Sequence, residues 1–429
     1  MTFQELNLHP TLLNTVKKEG YSEATDIQAI AIPHLLAGKD MIASAQTGTG
    51  KTAAFALPII EHIQRAKKMQ KERHPQALIL APTRELALQI KESFDTYSRM
   101  YPVRSVVVYG GIAKRNQIVK IKRGVDVLIA TPGRLLDLYR MKILNFQAIK
   151  HVVLDEADQM LDMGFIEDVD TILSYTPKTR QTMLFSATIP PAIEALSKRI
   201  LNNPIRIEIT PQNTPLDTID QSVYFVRTSD KRQLLVDILS KEKVTSALIF
   251  VRTKQGCNHL AKYLTDAKLS VQALHGDKTQ VQRQKVLGQF KRHEIQILVA
   301  TDVAARGLDI DALSHVINYD MPQTPQTYLH RIGRTARAGK LGSAYSFCAP
   351  EETHLLKAIQ KHTERIIPVN AAHDYVPVKK PNKQNKQNKQ NKPNNFKPKT
   401  QQSNHKKAKN AEYFKNAKRR KNRSHKMAY

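Results

Sequence analysis

Eight residues, Ala45-Gln46-Thr47-Gly48-Thr49-Gly50-Lys51-Thr52, have the composition of a phosphate-binding loop. Its glycines let backbone N–H groups close around phosphate oxygens. The N-terminus of the helix expected from Ala53-Ala54-Phe55-Ala56-Leu57 adds partial positive charge. Lys51 is suited to neutralise the β- and γ-phosphates of a nucleotide, and Thr52 to ligate Mg²⁺. Ala45 stands where the general pattern has Gly. Hydrolysis also needs an acid at the end of another strand, and Asp155-Glu156-Ala157-Asp158 directly follows the apolar run ending at Leu154. Asp155 is placed to hold Mg²⁺ through water, and Glu156 to orient and deprotonate the attacking water.

These residues need strands to carry them. Short apolar runs alternate with longer helical patterns: Asp40–Ser44, Ala77–Leu80, Ser105–Tyr109, Val125–Ile129, His151–Leu154 and Thr182–Phe185, then Ser222–Val226, Ala247–Val251, Ile295–Val299 and His315–Tyr319. Continuous apolar strands separated by helices imply parallel sheets covered on both faces. The polar stretch Thr210-Pro211-Gln212-Asn213-Thr214-Pro215 is the natural linker between two halves. The expected fold class is therefore α/β, with two tandem domains.

The chain of 429 residues carries a formal net charge of +29, unevenly spread. From Lys379 to Tyr429 there are 18 Lys or Arg and a single acid, Glu412, for +17, which leaves +12 for residues 1–378. The tail, with its repeat from Asn382 to Lys392, has too few apolar residues to offset its ordering entropy and is expected to be disordered. Such an excess of positive charge points to a polyanion, most often nucleic acid. Cys257 and Cys348 match no zinc or disulfide spacing. No apolar run is long enough to span a membrane, and Met1–Leu6 lacks a secretory pattern, so a cytoplasmic location is expected.

Asp155-Glu156-Ala157-Asp158 spells the motif of the DEAD-box ATP-dependent RNA helicases, and the resemblance runs in order from Phe3 to about Ala338. In length and N-terminal wording the chain looks most like the bacterial RhlE-type group. The family's fold is two RecA-like P-loop domains. On that pattern the domains fall at 1–29 (Q-motif region), 30–209 (ATP-binding domain), 210–216 (linker), 217–378 (second domain) and 379–429 (basic tail).

The segment Gly20–Gln28 resembles the family's Q motif, in which Thr25 and Gln28 belong to the adenine site and Phe3 is the isolated aromatic beside the base. One amide at Gln28 can select adenine over guanine. Ala24 replaces the usual proline. Pro82-Thr83-Arg84, Gly111 and Thr131-Pro132-Gly133-Arg134 resemble the RNA contacts of the first domain, and Arg252, Arg283 and Thr301 those of the second. Gln280 and Arg283 also resemble contacts between the domains. Ser186 and Thr188, with Asp158 and His330, resemble the groups that couple hydrolysis to unwinding.

In the second domain the resemblance gives Asp309 to the ribose, Arg334 and Arg337 to the γ-phosphate, and Arg337 the part of arginine finger. A helix through this region would put Arg334 and Arg337 on one face, and Ala336, standing where Gly is commoner, should favour that helix. The implied activity is ATP-dependent local unwinding of RNA by a monomer, in settings such as ribosome precursors or RNA decay. An ATP-gated RNA clamp is the rival reading from another class, and a DNA helicase a third.

Overall fold

The computed structural model describes residues 1–45, 48–66, 74–209, 219–242, 244–308, 310, 313–336 and 342–376. Gln46, Thr47, Asp309, Arg337, the linker and the tail therefore lie outside the described residues. Two parallel sheets form, as the apolar runs require. The first contains β1 (Met41–Ser44), β2 (Ala77–Leu80), β3 (Ser105–Val108), β4 (Val127–Ala130), β5 (His151–Leu154), β6 (Gln181–Ser186) and β7 (Ile205–Glu208), in the order β3-β4-β2-β5-β6-β1-β7. The second contains β8 (Ile219–Phe225), β9 (Ala247–Phe250), β10 (Val271–Leu274), β11 (Ile297–Ala300), β12 (His315–Asn318) and β13 (Gly342–Cys348), in the order β10-β11-β9-β12-β13-β8.

Alternate residues of each strand feed opposite layers. On the first sheet Ala43, Ile79, Val107, Ile129, Val153 and Phe185 pack against the helices Asp26–Leu36, Lys51–Ala66 and Arg84–Tyr97. Ile42, Leu78, Leu80, Leu128, Val152 and Leu184 face the helices Pro132–Arg140, Ile166–Ser174 and Pro191–Ile200. The second sheet is covered the same way, by helices Lys231–Lys241 and Lys254–Asp266 on one face and Gln280–Lys291 on the other. Among the described residues, no apolar cluster draws on both sheets' domains. Both cysteines are buried, and burial raises their thiols well above the usual range.

Strands β7, β10 and β13 are additions to the sequence-based set. β7 is an edge strand with one buried position, and β13 interrupts its apolar residues with Ser343 and Ser346, so neither reads as a continuous apolar run. The helix expected around Arg334 is corrected. It spans Pro325–Ile332 and stops at Gly333, and a bridge between Leu313 and Thr335 pulls the chain out of helical register. Ala336 has φ of 52°, in the left-handed region where a Cβ is penalised. It opposes this local conformation rather than promoting a helix. Ala336→Gly should stabilise the second domain by about 0.5–1 kcal/mol, the relief of left-handed strain less the extra flexibility of the unfolded chain. A urea midpoint that fell on substitution would contradict this.

Candidate nucleotide and RNA site

The candidate residues gather at the C-terminal ends of the strands, the rim where open α/β sheets place ligands. After β1 the loop turns into the helix that starts at Lys51. Lys51 is 6% exposed and its Nζ donates to the Ala45 carbonyl at 2.7 Å. Gly50 has φ of 91°, a conformation that favours glycine, and a Cβ there would displace Gln28 Nε2, which it would approach to 2.3 Å. That contact joins the Q-motif region to the loop. Gln28 Nε2 donates to the Gly50 carbonyl at 3.2 Å, and Gln28 Oε1 accepts the Thr25 N–H at 3.0 Å. One N–H and one lone pair of the amide are left over, the number a purine edge could use. Phe3 is buried with its ring stacked on Tyr21. Thr49 and Thr52 are half-buried along the same loop.

After β5 come the carboxylates. Asp155 is buried, and its Oδ1 accepts the Glu156 N–H at 3.0 Å. Glu156 has φ 54° and ψ 52°, a left-handed conformation costly for a residue with a Cβ. It caps the helix Ala157–Asp162 and is 4% exposed. Its Oε2 has no hydrogen-bond partner among the described residues. Burial, reinforced by the neighbouring Asp155 charge, pushes the Glu156 carboxyl up to about 7, against the pull of Lys51 and Arg334. Burial also raises Asp155, which Lys51 partly offsets.

Ser186 ends β6 fully buried, and its Oγ accepts the Asp158 N–H at 3.1 Å. Thr188 donates to Asp158 Oδ2 twice, from its N–H at 2.9 Å and its hydroxyl at 3.0 Å. Both hydroxyls therefore engage the acidic motif. Burial lowers the pKa of His330 from the second domain, against the pull of the Asp158 charge. Arg334 is buried, donates to the Leu308 carbonyl at 2.9 Å, and acts on Glu156 through its charge.

Of the first-domain RNA candidates, Gly111 and Gly133 are exposed, Arg84 and Arg134 half-buried, and the others buried. Pro82 is buried beside Thr83, whose hydroxyl caps the helix Arg84–Tyr97. The Arg84 guanidinium lies against Gly111. Thr131 and Pro132 start the next helix, Gly133 is exposed, and Arg134 donates to the Ile112 carbonyl at 3.1 Å. Thr301 starts the short helix after β11, and Arg252 follows β9 with half its side chain exposed.

Arg283 lies buried between the halves. Its guanidinium makes three hydrogen bonds: Nε to Glu85 Oε1 at 2.9 Å, Nη1 to the His275 carbonyl at 3.5 Å and Nη2 to the Ala304 carbonyl at 3.2 Å. Gln280 shares Glu85 at 3.3 Å. Arg283 thus bridges the two halves. Arg306 reaches Asp162 at 3.2 Å, Gln89 reaches the Gly307 carbonyl at 3.0 Å, and Thr83 presses on Gly307, where a Cβ would lie 2.0 Å from its hydroxyl. Glu85, Asp162 and Arg306 escaped the sequence reading, because a charge inside a motif does not show its partner. Arg331, which grips Asp302 with two hydrogen bonds of 2.6 and 2.8 Å, is a further buried support.

Two family models match the chain in this order: DEAD/DEAH box helicase over residues 25–196 and helicase conserved C-terminal domain over residues 230–339. The DEAD-box ATP-dependent RNA helicase CshA of Bacillus cereus is 44% identical over 364 residues, covering 85% of this chain and 68% of CshA. The chain belongs to the DEAD-box ATP-dependent RNA helicases. The ATP-dependent RNA helicase DeaD of Mycobacterium tuberculosis is also 44% identical, over 85% of this chain and 64% of DeaD. The solved structure of S. cerevisiae Dbp5 bound to RNA and ADP BeF3 superposes with a TM-score of 0.75 at 35% identity, over 86% of this chain and 95% of Dbp5. This DEAD-box helicase accordingly consists of two RecA-like domains and is an RNA-dependent ATPase. Among the described residues no helix is long and apolar enough to cross a membrane.

Proposed function

We propose that this helicase works as a split ATP site whose closure is linked to the bending of one RNA strand. The carrying observation is that His330 and Arg334 of the second half line one pocket with Gln159 of the first, Arg334 acting on Glu156 through its charge, while Lys51 heads the phosphate loop. ATP held by Lys51 and the loop would draw in Arg334 and Arg337. RNA lying across Thr83, Arg84, Gly111, Thr131, Arg134, Arg252 and Thr301 would favour the same closed form. Two ligands that favour one state favour each other. Arg337 as finger, Asp309 at the ribose, and Gln46 and Thr47 in the loop rest on the resemblance alone.

Mg²⁺ fits the donors present. Thr52 and Asp155 offer the hard oxygen ligands it requires, and a dication would favour the ionised forms of carboxyls that burial raises. Bound there, it would neutralise charge on the phosphates. The protein's own part is to orient water at Glu156 and to present arginine charge.

The domain limits proposed above, a cytoplasmic monomer, and RNA targets in ribosome precursors or RNA decay belong to this reading. Displacement of a short RNA duplex at catalytic protein concentration, with ATPase rising on RNA and not on DNA, is the expected result. Equal stimulation by DNA would sink the RNA assignment, and long-lived binding without strand release would favour the clamp. The basic tail is proposed to add sequence-independent phosphate contacts. Deleting residues 379–429 should weaken RNA affinity and flatten its salt dependence; an unchanged slope would make the tail a spacer.

A further inference from the structure

Arg252 leaves the end of β9 with 51% of its side chain exposed, yet its guanidinium is tethered. Its Nη2 donates to Glu352 Oε1 at 2.8 Å, and its backbone N–H donates to Asp320 Oδ2 at 2.8 Å. Glu352 differs from a surface carboxylate in being 9% exposed and accepting from four donors. Its Oε1 also takes the Met321 N–H at 3.3 Å, and its Oε2 takes Lys231 Nζ at 2.7 Å and the Ala349 N–H at 3.2 Å. It sits at the N-terminus of the helix Thr353–Thr363, where the backbone favours negative charge. Lys231 is 2% exposed and donates to the Tyr319 carbonyl at 2.8 Å, with Asp320 Oδ1 at 3.9 Å.

A buried Lys–Glu pair is poor evidence of a stability role, because an apolar pair of similar volume often serves as well. An apolar pair could not hold an arginine at the surface. The Glu352 carboxylate is fixed by Lys231, Met321 and Ala349 from inside the domain, and its remaining bond reaches outward to Arg252. An arginine held in place before its phosphate arrives loses less rotamer freedom on binding.

We propose that Glu352 is a positioning residue for RNA binding, fixing the Arg252 guanidinium toward a backbone phosphate with Lys231 as its buried counter-charge. This rests on the reading of Arg252 as an RNA contact. The test measures ATPase against RNA concentration for Arg252→Ala, Glu352→Gln and the two combined, with a thermal midpoint for each. Arg252→Ala should raise the RNA half-saturation about three- to tenfold, the loss of one charge-assisted phosphate contact. Glu352→Gln should raise it by no more than that, leave kcat at saturating RNA nearly unchanged, and add nothing once Arg252 is gone.

If Arg252→Ala has no effect, the RNA reading fails and the proposal with it. If Arg252→Ala weakens RNA binding but Glu352→Gln does not, the contact stands and the positioning role is overturned. Effects that multiply in the combined variant overturn it as well. Because Glu352→Gln leaves Lys231 buried without a counter-charge, Lys231→Met with Glu352→Gln serves as the second variant. It removes both charges, should fold, and should still show the raised half-saturation; a wild-type value there overturns the proposal.

Discussion

Glu156→Gln should bind ATP and RNA and lose turnover by about 10²–10⁴-fold, the contribution of a positioned general base. The amide keeps the shape of the side chain and can hold water, but it cannot take a proton. The geometry favours Glu156 over its neighbours for that step. Asp155 and Asp158 are occupied by backbone or hydroxyl donors, whereas Glu156 Oε2 has no partner among the described residues. Its left-handed backbone costs on the order of 1–3 kcal/mol, the kind of strain that collects at working sites.

With the carboxyl raised to about 7, the base becomes ionised as pH rises through neutrality. ATPase should therefore climb with pH in the wild type, over a range below that value because bound Mg²⁺ favours the ionised carboxylate, and lack this limb in the variant. The stability effect has the opposite sign. The folded pKa lies above the model value of 4.5, so the folded state binds the extra proton, and the stability it contributes is lost as pH rises from there through about 7. Nucleotide-free Glu156→Gln should thus melt higher than wild type at pH 8, with the gap closing in acid. Normal turnover in the variant, or an unchanged pH profile, would remove Glu156 from the base role.

Arg283→Ala should uncouple the two ligands. Stripping one partner from a buried ion pair costs about 3–5 kcal/mol, because the other charge stays buried unpaired. Here most of that cost falls on the closed form, since Glu85 in an open cleft can return to water. Closure should weaken by about 10²–10³-fold on that basis. ATP should then enhance RNA affinity far less than in wild type, and RNA should enhance ATP affinity less by the same factor. Binding of ATP without RNA should change little, because Lys51 and Gln28 belong wholly to the first half. Measuring each affinity with and without the other ligand decides the matter: intact mutual enhancement would show that the Glu85–Arg283 bridge does not hold the closed state.

The strands that carry the site were legible because buried parallel strands are continuous apolar runs, as at Ala77–Leu80 and His151–Leu154. Lys51, Asp155 and Glu156 were legible because each sits where such a run ends. What stayed hidden was set by contacts distant along the chain. Arg283 and Glu85 are 198 residues apart, and no local pattern pairs them. Ala336 reads as a helix former, and only the Leu313–Thr335 bridge turns its backbone left-handed. The left-handed Glu156 is hidden in the same way, since a strand end and a helix start look alike in sequence whichever way the joining residue twists.

The absence of a shared apolar cluster between the two domains, among the described residues, bears on temperature. Burial of apolar surface is what gives an association its large heat-capacity change and makes it fade on cooling. Closure across Glu85–Arg283, Asp162–Arg306 and Gln89–Gly307 is instead polar. Its equilibrium should lack the strong curvature of an apolar association, so cooling should not weaken closure through loss of a hydrophobic term.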